Sequence, residues 1–162
     1  MRAAVYQHRY RNFISSGPQP PNLPEVEVDG STWSYEGRWG SMDLSASLDS
    51  VNPRNTTTGS PNNGKLLPRR AQRAARMGAD WQAGSWTSGL TLAAFSHRFD
   101  NAANTTRLGG YVTADLRAEW AFMPAWRLGL KLNNAGGKRY ETAFGYNQPG
   151  REGFVTLRHA MR

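Results

Sequence analysis

Between Tyr111 and Phe122 apolar and polar side chains alternate almost without a break. Val112, Ala114, Leu116, Ala118, Trp120 and Phe122 fall on one parity, and Thr113, Asp115, Arg117 and Glu119 on the other. Successive side chains of a strand point to opposite faces, so a strand here has one apolar and one wet face. A helix would scatter the three charges around its circumference.

The same pattern recurs along the chain. Trp126, Leu128, Leu130 and Leu132 alternate with Arg127, Gly129, Lys131 and Asn133. Met42, Leu44, Ala46 and Leu48 alternate with Asp43, Ser45, Ser47 and Asp49, and Ala75, Met77, Ala79 and Trp81 with Arg76, Gly78 and Asp80. Trp86, Leu90, Leu92 and Ala94 share one face, as do Val155 and Leu157, and Trp33, Tyr35 and Trp39. In the less regular opening segment, Tyr6, Tyr10 and Ile14 are expected to form the outer face. Eight strands are predicted, over 3–14, 28–38, 41–51, 70–82, 85–97, 110–122, 125–134 and 152–160.

The connections alternate too. Gly37–Ser41, Gln82–Ser85 and Met123–Ala125 are tight, whereas 15–27, 52–67, 98–109 and 135–151 are long and polar. Long loops on one side and short turns on the other are the asymmetry of an outer-membrane β-barrel. A soluble two-sheet sandwich would not require it. The expected fold is therefore all-β, an antiparallel transmembrane barrel segment of about eight strands, at the bacterial outer membrane. The 38% hydrophobic content agrees, because only alternate residues of such a strand meet lipid.

The charge of +8 is spread along the chain, with small clusters at Arg69-Arg70-Arg73-Arg76 and Arg9-Arg11. No aromatic-basic platform for nucleic acid is apparent; an anionic lipopolysaccharide surface suits basic loops better. With no cysteine, thiol chemistry is excluded. His8, His97 and His159 have no ligand spacing, and Asp100 stands isolated, so neither a transition metal nor calcium is expected. The absence of a nucleophile elbow or phosphate-cradling loop points away from an enzyme, and no cofactor is expected. Met1–His8 lacks the apolar core of a signal peptide, from which truncation is expected.

The run Lys138-Arg139-Tyr140-Glu141-Thr142-Ala143-Phe144-Gly145-Tyr146-Asn147-Gln148-Pro149-Gly150-Arg151-Glu152 resembles the last extracellular loop of TonB-dependent outer-membrane receptors, most closely the vitamin B12 type. Leu67-Pro68-Arg69-Arg70-Ala71, Arg98-Phe99-Asp100 to Leu108-Gly109-Gly110-Tyr111, and Val5-Tyr6 to Asn12-Phe13-Ile14 are similar to family segments in the same order. Asn134-Ala135-Gly136-Gly137 departs from the family's Asn-Leu/Val-Phe-Asp. The resemblance implies that residues 1–162 are the C-terminal portion of a 22-stranded barrel, with the plug domain and TonB-contacting region upstream. It implies cobalamin or a related chelate as cargo and Arg69 as a ligand contact. It also implies a C-terminal signature box carrying Phe144, Gly145, Tyr146, Gly150, Arg151 and Arg162. A complete eight-stranded barrel with a structural or adhesion role is the alternative, and it requires the first and last strands to pair.

Overall fold

The computed structural model describes residues 1–15 and 22–160. Eight long strands form one antiparallel sheet: β1 (Arg2–Ile14), β2 (Asn22–Trp39), β3 (Met42–Asn55), β4 (Arg73–Ala83), β5 (Trp86–Phe95), β8 (Tyr111–Met123), β9 (Trp126–Asn133) and β12 (Glu152–His159). Each pairs with its neighbour in that order, and β1 and β12 are the two edges. The described residues show no pairing between β1 and β12 of the kind a self-contained small barrel needs. Two short hairpins sit in the long links: β6 (Arg98–Phe99) with β7 (Arg107–Leu108), and β10 (Glu141–Ala143) with β11 (Tyr146–Asn147).

All eight expected strands are present, and two bounds move by more than three residues. β2 begins at Asn22 instead of 28 because it stays paired with β1 up to Ile14, and β3 runs on to Asn55, in register with Val26. Residues 22–27 of the first link are thus strand. The turns narrow to a few residues, and Gly40 (φ 59°) and Gly84 (φ 57°) supply the left-handed backbone that two of them need.

The register carries the alternation from strand to strand. Trp33 faces Leu48, Leu48 faces Ala75, Ala75 faces Ala94 and Ala94 faces Val112. Leu116 faces Leu132, and Leu130 faces Val155. The apolar residues therefore form one continuous face, and that face is bare: Met77 is 60% and Val112 59% exposed. A water-soluble domain rarely leaves so large an apolar surface uncovered. The hydrocarbon of a membrane is what covers it.

Five of the six tryptophans, Trp39, Trp81, Trp86, Trp120 and Trp126, lie on this face beside the short turns. Trp86 and Trp120 stack at 5.3 Å, and the Trp81 indole N–H donates to Ser41 Oγ at 3.0 Å. Such a girdle marks a membrane–water interface.

The opposite face is wet. Asp80, Gly89 and Arg117 lie in one cross-strand row, and Asp80 ion-pairs with Arg117 across the glycine. Glu119 is bridged by Arg127 at 3.1 Å and Arg158 at 3.2 Å. A Cβ at Gly89 would collide with both the Asp80 carboxylate and the Arg117 side chain. Gly89→Val is expected to destabilise the sheet by about 1–3 kcal/mol, read as a lowered urea midpoint. Adding Asp80→Ala is expected to restore part of that loss.

One sidedness expectation is corrected. Tyr6 and Tyr10 lie opposite Gly30 and Val26, on the inner face, with the Tyr6 ring folded over Gly30. The outer positions of β1 are Ala3, Val5, Gln7, Arg9 and Arg11, in line with Trp33, Ser31, Asp29, Glu27 and Glu25. Above Ser31 the outer face of β1 and β2 becomes polar, so these strands rise beyond the apolar belt. There the usual rule inverts and the tyrosines turn inward. Asn12, at φ 55°, then breaks the alternation, and the Phe13 ring comes within 5.9 Å of Tyr10.

Candidate functional site

The conventional core is small and lies at the long-link end. Val26, Pro53, Leu67, Leu108 and Tyr111 are buried there, packed where the loops fold over the inner face. An aromatic ladder continues the cluster: Phe95 meets Tyr111 at 5.0 Å, and Tyr111 stacks on Tyr140 at 3.9 Å. Burial against these neighbours pushes the Tyr140 hydroxyl pKa above its ordinary value. The inner face thus changes character along its length, charged between the short turns and the mid-strand, and aromatic at the mouth.

The loops over this mouth are tied to one another. Arg69 Nε donates to Asp100 Oδ1 at 2.8 Å, and the same oxygen accepts the Phe144 backbone N–H at 3.0 Å. Arg69 N–H also donates to the Phe99 carbonyl at 2.6 Å. One carboxylate therefore joins the β3–β4, β5–β8 and β9–β12 links. The Arg69 guanidinium holds the Asp100 carboxyl below the usual carboxylate range. Asp100 stands isolated among acids in the sequence, yet it is the node of the loop assembly.

Asparagines complete the frame. Asn104 copies a strand edge, taking the Leu66 N–H on Oδ1 at 2.8 Å and donating Nδ2 to the Leu66 carbonyl at 2.9 Å. Asn134, 6% exposed, donates Nδ2 to the Lys138 carbonyl at 2.8 Å and accepts the Lys138 N–H at 2.9 Å. Its own N–H donates to Asp115 Oδ1 at 2.8 Å. Both residues have positive φ, 58° and 47°, which asparagine tolerates better than most. Asn134 thus turns the chain into the last loop although the aromatic usual in the family is missing.

Of the expected site residues, Arg69 is at the mouth, 31% exposed in its side chain, with its guanidinium engaged by Asp100. Its φ of 61° places it in the left-handed region. Phe144 and Gly145 form the turn of the β10–β11 hairpin. Gly145 has φ 78°, and its N–H donates to Glu141 Oε2 at 3.2 Å. Tyr146 is in β11, while Gly150 and Arg151 precede β12 and are exposed. Arg162 lies outside the described residues. The structure brings Phe144 to Arg69 through Asp100, and does not bring Gly150 or Arg151 to that contact. Among the described residues no group of three His, Asp or Glu side chains is placed to hold a metal.

The family model described as TonB dependent receptor-like, beta-barrel, matches residues 1–135. Among solved structures, the siderophore receptor PiuA from Acinetobacter baumannii superposes with a TM-score of 0.82 at 21% identity, covering 97% of this chain and 25% of that one. The unliganded ferric citrate transporter FecA gives a TM-score of 0.81 at 18% identity over 96% of this chain and 28% of that one. The copper transporter OprC gives 0.74 at 16% identity, over 97% and 29%. At these identities the likeness establishes the fold. The chain spans about a quarter of the length of the solved proteins it matches. Its eight strands form a sector of an antiparallel outer-membrane barrel, and the chain belongs to the TonB-dependent receptor β-barrel family.

Proposed function

We propose that the chain forms the C-terminal sector, residues 1–162, of a receptor barrel that imports a bulky metal chelate across the outer membrane. Cobalamin is the cargo favoured by the resemblance of the segment from Lys138 to Arg151. One observation carries the reading: three long links are locked together by Asp100 above an aromatic mouth on the inner face. A sheet that only stiffened a membrane would not need its loops held in one arrangement over its interior. A plug domain supplied by another part of the polypeptide fills that interior, and the energy-coupling contact with TonB lies there as well.

Lipopolysaccharide is the second partner in this reading. Arg9 and Arg11 stand on the outer face just above the apolar belt, at the height where anionic headgroups would meet them.

Arg69 is assigned to the cargo mouth. In the full-length polypeptide, Arg69→Ala is expected to weaken cobalamin binding about tenfold or more, measured by equilibrium titration. Asp100→Ala separates contact from support. If Arg69 touches cargo, its loss costs more than the loss of Asp100; equal losses assign it a strut role. Unchanged affinity in Arg69→Ala removes it from the site, and failure of the wild type to bind cobalamin while it binds a ferric siderophore reassigns the cargo.

A further inference from the structure

Toward the long links, the apolar outer face ends on the row of Trp33, Leu48, Ala75, Ala94 and Val112. In the next outer row Ser31, Ser50 and Arg73 are in register, and Ser96 is bonded to the backbone of Arg73. Hydrocarbon therefore gives way there to small hydroxyls and one long cation. Because Ala75, Ala94 and Ser96 are small, the border is hollowed into an outward-facing groove of about 540 Å³. Leu48, Ala75, Ala94 and Val112 make its apolar part, Arg73 and Lys138 also line it, and no carboxylate does.

Both cations are exposed. Among the described residues, neither has a carboxylate within ion-pair distance. Their backbones are nonetheless held in place. The Arg73 N–H donates to Ser96 Oγ at 3.0 Å, and the Arg73 carbonyl accepts the Ser96 N–H at 2.9 Å. The Lys138 N–H donates to Asn134 Oδ1 at 2.9 Å, and the Lys138 carbonyl accepts from Asn134 Nδ2 at 2.8 Å. A frame already ordered loses less conformational freedom when a ligand arrives.

We propose that this groove seats a lipopolysaccharide molecule, with a lipid phosphate between Arg73 and Lys138 and an acyl chain along Leu48, Ala94 and Val112. The guanidinium fork matches a phosphate with two parallel hydrogen bonds, and the ammonium adds a point charge. A free anion would leave the apolar part of the groove uncovered, and a lipid without net charge would leave both cations unmatched. The seat rests on the reading that lipopolysaccharide is a partner, and it is distinct from the contact at Arg9 and Arg11.

The test is native mass spectrometry of the full-length polypeptide in detergent micelles, titrated with lipid A, the phosphorylated acyl anchor of lipopolysaccharide. Phosphatidylcholine and inorganic phosphate are the comparison ligands. Lipid A is expected to bind saturably, and both comparison ligands about tenfold or more weakly. The double variant Arg73→Met with Lys138→Met is expected to weaken lipid A binding by a similar factor. Ala94→Phe, which fills the groove without changing charge, is expected to weaken it as well, whereas Arg9→Gln with Arg11→Gln leaves this site in place. Circular dichroism checks that each variant keeps its sheet, and the wild-type comparison of ligands stands even if a variant does not fold. Three results overturn the proposal: no saturable lipid A binding; equal affinity for phosphatidylcholine or inorganic phosphate; or full lipid A affinity in either folded groove variant. Loss of binding in Arg9→Gln with Arg11→Gln alone keeps lipopolysaccharide as a partner and removes it from this groove, while loss in no variant removes both contacts.

Discussion

Leu90→Arg is expected to destabilise the sheet in lipid by about 2–4 kcal/mol, whereas Thr91→Arg, one residue away, is expected to cost less than about 1 kcal/mol. Leu90 lies mid-strand between Ala79 and Leu116, on the face that meets hydrocarbon. An arginine there must be dehydrated or must draw water and headgroups into the bilayer. Thr91 lies between Gly78 and Asp115 on the wet face, where a guanidinium keeps its hydration and gains a carboxylate neighbour. The comparison is made by urea titration of each variant in vesicles, following tryptophan fluorescence. Equal costs at the two positions would contradict the sidedness.

Asp100→Ala is expected to loosen three loops while leaving the sheet intact. It removes the acceptor for both Arg69 and the Phe144 N–H, at 2.8 and 3.0 Å. A partly buried arginine then loses its counter-charge, and the last hairpin loses its anchor. The local cost is about 1–3 kcal/mol. Backbone amides in residues 141–147 are expected to exchange about tenfold or more faster, with little change in those of β5 and β8.

The pH dependence follows from the same contact. Because the Asp100 pKa is lowered in the folded loops, its contribution is fully present above its unfolded value of about 3.9. That contribution is lost as pH falls through the folded value, so the hairpin is expected to remain tied at pH 5 and to open only in stronger acid. Unchanged exchange in Asp100→Ala, or opening already near neutrality, would remove Asp100 as the node.

The strands were legible because period two survives wherever a face meets lipid. From Val112 to Trp120 the large apolar Val112, Leu116 and Trp120 are exposed, Thr113, Asp115 and Glu119 are half-buried, and Arg117 alone of the inner positions is exposed. Tyr6 and Tyr10 turn inward, against the alternation, because β1 leaves the membrane partway along. Above the belt both surroundings are aqueous, and polarity no longer tells outside from inside. Only the register with Gly30 and Val26 settles their face. Asn12 was a usable signal, since asparagine tolerates the left-handed backbone that turns Phe13 inward.

The loop frame was less visible. Asp100 finds its partners 31 and 44 residues away, beyond the reach of any local pattern. Arg98 stands two residues before Asp100 and looks equally solvated in the sequence, yet it is buried against two rings. Composition marks the 52–65 link as a loose loop. In the structure its first residues extend β3, and Arg54 Nη1 donates to the Gly64 carbonyl at 2.6 Å.

The most direct test of the two-faced sheet uses the absence of cysteine from the chain. Single cysteines placed one at a time from Val112 to Trp120 carry nitroxide labels, and their accessibility to oxygen and to a water-soluble nickel complex is measured in bilayers. Oxygen accessibility is expected to peak at positions 112, 114, 116, 118 and 120 and to fall at every position between them. A flat profile, or one in the opposite phase, would mean that the apolar face does not look into lipid.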